Sequence, residues 1–286
     1  MTSGFGEALV PAGRLERVLV RGPDPAAAEA WRDYGWRAEP DTARETAQHD
    51  AFRAELERAG AEVLLATDPS VATNPDAVYV RDPVLIAPGG AILLRPGKPG
   101  RRGEPDALGN DLVPGVPVIG RLDKPATAEG GDLLWLDSRT LLAGRSYRTN
   151  DAGIEALRRL LPGVTVMAFD LPHLRGPSDV LHLMSLVSPL DADLVVAHLP
   201  LLPSRLAEEL DARGIGIVEV PGDEFDTMGP NVLALAPRVA LALDGNPETA
   251  SRMRAAGVDV RTYDGSEISV KGDGGPTCLT LPLRRA

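Results

Sequence analysis

The chain has one cysteine, Cys278, set in the run Gly274-Gly-Pro-Thr-Cys-Leu-Thr-Leu. A lone cysteine ordinarily serves as a small buried hydrophobe. The glycines ahead of this one, however, let the backbone approach a ligand closely, and a thiolate is the one strong nucleophile such a side chain supplies. It needs an imidazole or a cation nearby. Of the four histidines, His49 falls on a predicted helix, His173 in a loop and His198 at the end of a strand. His182 instead interrupts the apolar run Asp179-Val-Leu-His-Leu-Met-Ser-Leu and is the candidate general acid or base. Two acidic motifs complete the set. Glu129-Gly-Gly-Asp132 reads either as a turn or as one carboxylate behind an imidazole with a second facing a well, and Asp82 stands in Tyr79-Val-Arg-Asp-Pro. Carboxylates bind a planar cation through paired hydrogen bonds, and a Cys–His pair can attack its carbon. A guanidinium fits that combination.

Spacing ties these residues together. Asp82, Asp132, His182, Asn231 and Cys278 follow one another at intervals of 50, 50, 49 and 47 residues, and each heads an apolar strand-like run. A polar side chain at the head of a buried strand is costly unless paired, so five of them suggest strand ends converging on one well. Between them a helix–glycine–strand unit recurs. Its copies are Asp41–Ala59 then Glu62–Ala66, Ala152–Leu161 then Val164–Ala168, Pro203–Arg213 then Ile217–Val220, and Asn246–Ala256 then Val258–Thr262. Asp41 and Asn246 are the expected N-caps, Gly60 a helix stop, and Pro247 suits a first turn. Paired strand runs are expected at Ala77–Ile86 with Ala91–Arg95, Gly131–Leu136 with Thr140–Ala143, Val180–Val187 with Asp193–His198, and Asn231–Ala236 with Val239–Leu243. Thr277–Leu283 closes the chain. The long segments Gly22–Pro40 and Gly97–Pro114, rich in Gly, Pro and charge, read as surface loops, the first as a lid. The fold class is therefore α/β: a closed ring of five strand–strand–helix–strand units, helices outside and a polar well at the hub, as one domain over residues 1–286.

Composition narrows the function. The 286 residues carry a formal charge of −11, which argues against non-specific nucleic-acid or acidic-membrane binding. One cysteine leaves no internal disulfide and no cysteine-based zinc site. No apolar run reaches the length of a membrane span, and the N-terminus lacks a signal-peptide pattern, so a cytoplasmic location is expected. Only Lys98, Lys124 and Lys271 stand against 27 arginines, so arginines are weighed by position alone.

In this order and spacing the motifs Asp76-Ala-Val-Tyr-Val-Arg-Asp82, Leu94-Arg-Pro-Gly97 with Arg101-Arg-Gly-Glu104, Glu129-Gly-Gly-Asp132, Arg148-Thr-Asn150, Leu181-His-Leu-Met-Ser185 and Gly275-Pro-Thr-Cys278 resemble the guanidino-group modifying (pentein) superfamily. The chain is most similar to the dimethylarginine dimethylaminohydrolases, with some arginine deiminase character. The resemblance implies a five-bladed pseudo-symmetric α/β propeller. It implies that Cys278 attacks the guanidinium carbon, that His182 protonates the leaving amine and then activates water against a covalent thiouronium, and that Glu129 orients the imidazole. Asp82 and Asp132 would face the guanidinium, Arg95 and Arg148 would hold the substrate α-carboxylate, and Asp76 would lie near the α-amino group. Two positions divide the substrate question. Met184 stands where deiminases and amidinotransferases carry an acid, favouring an N-substituted guanidine, whereas Arg81 and Gly-Gly-Pro before the nucleophile are the deiminase form. The expected reaction is hydrolysis of an Nω-methylated arginine to citrulline and an alkylamine, without cofactor or metal, in a chain that could pair as a homodimer. The alternatives are arginine deimination or amidino transfer on the same scaffold, and a non-catalytic pentein binding or assembly module.

Overall fold

The computed structural model describes residues 11–112, 115–177, 179 and 181–286. In chain order the elements are β1 (Leu15–Val20), α1 (Thr42–Arg58), β2 (Glu62–Leu65), β3 (Val84–Ala87), β4 (Gly90–Leu93), α2 (Glu104–Leu112), β5 (Val118–Arg121), β6 (Leu133–Asp137), β7 (Thr140–Arg145), α3 (Asp151–Leu160) and β8 (Thr165–Asp170). They continue with β9 (Val187–Asp191), β10 (Leu194–Ala197), α4 (Ser204–Ala212), β11 (Gly216–Glu219), β12 (Leu233–Ala236), β13 (Val239–Leu243), α5 (Pro247–Ala255), β14 (Asp259–Tyr263) and β15 (Leu281–Arg285). The strands form five three-stranded sheets, one per repeat. In four of them an inner strand pairs antiparallel with the next through a tight turn, and the chain then crosses over, by way of a helix, to an outer strand that pairs parallel. The fifth sheet takes its inner strand, β15, from the C-terminal end and its other two, β1 and β2, from the N-terminal region. That pairing closes the ring.

The polar residues picked out by the repeat precede the inner strands β3, β6, β9, β12 and β15, which are edge strands of their sheets and not the middle ones. The expected long strands are also shorter than their apolar runs. Pro75–Val78, Gly130–Asp132 and Leu183–Ser185 form single 3-10 turns before the ladder begins, and Val180, at the head of one expected run, lies outside the described residues. These turns let polar side chains face the hub while the following residues enter the core.

Helix α1 starts on Asp41, whose carboxylate accepts from the N–H groups of Ala43 and Arg44, and ends at Gly60 with φ of +92°. Asn246 does not cap α5 as expected. Its side chain bonds Thr227 and the Leu243 carbonyl, and the Glu224 carboxylate instead accepts from Glu248 N and Thr249 N at 2.8 and 2.7 Å. The segment Gly97–Pro114 is no plain loop, because it contains α2, and β1 and β5 also escaped the sequence pattern. Gly109 inside α2 is tolerated because Leu93 packs against that point. Among the described residues no helix is long and apolar enough to cross a membrane.

Candidate active site

The turns that lead into the inner strands surround a cavity of about 390 Å³ at one end of the hub. Asp76, Asp82, Glu129, Arg148, His182 and Cys278 all line it. His182 is positioned from behind. Its Nε2 shares a hydrogen bond of 2.8 Å with Glu129 Oε2, and its Nδ1 lies 3.9 Å from Asp82 Oδ1. Gly131 makes this possible, since a Cβ there would stand 2.3 Å from His182 Nδ1. Burial alone would lower the His182 pKa, but the carboxylates of Asp82, Asp132 and Glu129 outweigh it and raise it to about 9. For Glu129 the same balance runs the other way. Burial opposes its charge, and the imidazolium, with Arg101 and Arg148, holds it well below the usual carboxylate range.

Cys278 sits in a clamped turn. Asn231 Oδ1 accepts from Thr277 N at 3.1 Å and from Thr277 Oγ1 at 2.9 Å, while Asn231 Nδ2 lies 3.6 Å from Cys278 Sγ. A Cβ at Gly275 would stand 2.4 Å from Asn231 Oδ1, so glycine is required for the clamp. Burial and then the Asp82 charge push the thiol up to about 11, against the hydrogen bonds from Thr277 and Asn231. The resting pair is therefore a neutral thiol and an imidazolium.

Other expected site residues stand elsewhere. Asp132 is fully buried and does not line the cavity. It accepts from Ser146 Oγ at 2.6 Å and from Leu183 N at 3.1 Å, fixing the turn that carries His182, and burial raises it to about 6. Arg95 reaches the Ala126 carbonyl at 3.4 Å and is not on the cavity wall. Arg101, within the Arg101-Arg-Gly-Glu104 run, is there in its place. It is buried, bonds Asp82 and the Tyr79 carbonyl, and lies 2.8 Å from Glu104 Oε2. Met184 packs beside Leu183 and Val187 and lines a different cleft, which it shares with Arg81, because the 3-10 turn after His182 points it away from the cavity. Arg81 faces that cleft with Nε on the Thr277 carbonyl at 3.2 Å. Neither of the two positions expected to divide the substrate question faces the well.

The segment Gly22–Pro40 covers the cavity with Arg32, Asp33, Tyr34 and Gly35. Trp36 Nε1 donates to Asp76 Oδ1 at 2.8 Å, and the Lys98 ammonium lies 2.5 Å from both Asp76 Oδ2 and the Tyr34 carbonyl. No sequence motif had singled out Lys98 or Tyr34, because their roles depend on two distant loops meeting. Asp82, Glu129 and His182 each offer a donor atom within 4.8 Å of the others, as a metal would require. Those atoms are already engaged, however, with Gly131 N, Arg101 and one another.

A ring of five such blades, with a thiol, an imidazole and carboxylates meeting at its hub, defines the pentein class of guanidino-modifying proteins. The family described as N,N dimethylarginine dimethylhydrolase, eukaryotic, matches residues 27–285, and the chain belongs to that family. It is 30% identical to the N(G),N(G)-dimethylarginine dimethylaminohydrolase of Streptomyces coelicolor over 94% of this chain and 97% of the relative. An arginine deiminase of Mycobacterium marinum is 32% identical over 57% of this chain and 48% of its own. Among solved structures, the Pseudomonas aeruginosa dimethylarginine dimethylaminohydrolase, a Cys-to-Ser variant complexed with citrulline, superposes with a TM-score of 0.78 at 25% identity, covering 94% of this chain and 99% of that one. The chain is an amidine-hydrolysing enzyme of this family.

Proposed function

We propose that the chain hydrolyses the substituted C–N bond of an Nω-methylated arginine, giving citrulline and an alkylamine. The observation that carries this reading is the placement of Cys278, His182 with Glu129, and Asp82 on one cavity wall. A neutral thiol at about 11 is a poor nucleophile at neutral pH, so the thiolate has to be made as the substrate arrives. The guanidinium brings a positive charge beside the sulfur and favours that ionisation, the thiol proton leaving to solvent because His182 already carries its own. Asp82 accepts from the guanidinium N–H groups, its carboxylate oxygens having lone pairs beyond those used by Gly131 and Arg101.

The sulfur then bonds to the guanidinium carbon. The His182 imidazolium gives its proton to the departing amine, leaving a thiouronium on Cys278 and a neutral imidazole. The imidazole takes a proton from water as its oxygen attacks the same carbon. Collapse expels the sulfur as the hydroxyl proton passes to it, which restores the thiol and leaves the urea group of citrulline. Glu129 holds the ring through both steps. Arg148 is a cation on the cavity wall that suits an α-carboxylate, and Asp76 the acid that suits an α-ammonium.

The relatives supply the methylated substrate, since Met184 no longer argues for it. Hydrolysis of unsubstituted arginine is the second reading, favoured by the arginine deiminase match. Steady-state assays with arginine and Nω,Nω-dimethylarginine, scoring citrulline and dimethylamine together, separate them. The proposal requires kcat/KM for dimethylarginine to exceed that for arginine at least tenfold, and the reverse order refutes it.

A further inference from the structure

We propose that the ring carries a second ligand site, for one small inorganic or carboxylate anion, at the end of the hub away from the catalytic cavity and between the guanidinium groups of Arg81 and Arg285. The two side chains share a cleft walled by residues of the inner strands, among them Val84, Ile86, Leu134 and Trp135. Arg285 is 8% exposed, and its Nη1 donates to the carbonyls of Gly13 and Ala234 at 2.7 and 2.8 Å. Its remaining nitrogens have no hydrogen-bond partner among the described residues. Arg81 is partly exposed, and among the described residues its side chain donates only through Nε, to the Thr277 carbonyl. Among the described residues neither guanidinium has a carboxylate in ion-pair reach.

Like charges sunk together without a counter-charge are expensive. The contrast with buried Arg101, which has Asp76, Asp82 and Glu104 around it, shows how this chain neutralises a guanidinium kept for structure. Burial lowers Arg81 to about 10 against the Cys278 and Asp82 charges, whereas burial and the Arg81 charge together lower Arg285 to about 9. The enclosed space, about 60 Å³, admits an anion of a few atoms and excludes a nucleotide. The site is also braced against the nucleophile's turn, because Arg81 N donates to the Cys278 carbonyl at 3.2 Å.

Thermal unfolding of the full chain in chloride, acetate or phosphate, at ionic strength held constant with gluconate, tests this. Wild type should show a saturable rise in Tm of about 3 °C or more, as binding to the folded state alone requires. Arg285→Gln and Arg81→Gln should each lose the saturable part, and bromide-soaked crystals should show an anomalous peak between the two guanidinium groups. No saturable rise in wild type overturns the proposal, as does a rise kept in both variants or a bromide peak only beside Arg148 and Lys98. Should Arg285→Gln fail to fold, Arg81→Gln and the bromide peak decide. Residues 1–10, which include Glu7, lie outside the described residues. Glu7→Gln should respond as wild type does, and an anion response appearing only in that variant overturns the proposal, the chain then supplying its own counter-charge.

Discussion

Replacing Glu129 with glutamine keeps the shape of the bond behind His182 and removes its charge. The carboxylate and the imidazole meet at 2.8 Å with exposures of 1% and 6%, so the pair is desolvated and charge-assisted. Such a bond contributes about 1.5–3 kcal/mol. At about 1.36 kcal/mol per pKa unit, its loss brings His182 from about 9 to roughly 7–8. The imidazolium that protonates the leaving amine is then scarce in mild alkali, where the wild type still holds most of it. The alkaline limb of kcat/KM for citrulline formation should move acidward by at least one pH unit, with kcat at the optimum down about 10–100-fold from the loosened ring. Imidazole 15N shifts followed by NMR titration in the same variant should report the same fall. An alkaline limb that stays in place, or a His182 that titrates higher than in wild type, would refute the electrostatic reasoning.

Met184→Asp should not convert the substrate preference. It should destabilise the fold by about 1–3 kcal/mol, read by urea denaturation, because the carboxylate is buried against Leu183 and Leu186 on the wall of the Arg81 cleft. A folded variant with wild-type stability and a new preference for arginine would contradict the placement of Met184. Lys98→Met should lower KM for arginine-type substrates about 5–10-fold and leave KM for a guanidino acid without the α-amino group unchanged, since the Lys98 ammonium now occupies Asp76. Equal changes for both substrates would remove that competition. His182 is held above its unfolded value, so its contribution to stability is complete below about pH 6.5 and is lost as pH rises through about 9. Relative to His182→Gln, wild type should therefore lose about 3 kcal/mol between those limits, and a constant difference across the range would count against it.

The ring was legible because its signal is a period. Five polar residues at nearly equal spacing before apolar runs located Asp82, Asp132, His182, Asn231 and Cys278 without any tertiary information. What each side chain does was less legible. A 3-10 turn in place of continuous strand rotates successive side chains by about a third of a turn, and that rotation sends Met184 into the core and Asp132 beneath the His182 turn. Arg95 and Arg101 stand in one run of motif, and only the fold of Lys98–Arg102 decides which of them reaches the cavity. Helix α2 was hidden by a glycine and several acids that carry little apolar period, its stability coming from packing on β4. Lys98 and Tyr34 were invisible for a different reason. Their meeting joins loops 64 residues apart through one backbone carbonyl, which leaves no trace in side-chain spacing.

The account rests on a covalent bond between Cys278 and the guanidino carbon. Acid-quenching the enzyme during turnover of dimethylarginine and mapping the intact mass to peptides tests it directly. The account predicts an adduct equal to the substrate less dimethylamine on the Cys278 peptide, more abundant in His182→Ala or formed too slowly there to support turnover. Steady citrulline production by Cys278→Ser, or wild-type turnover with that peptide always unmodified, would contradict it.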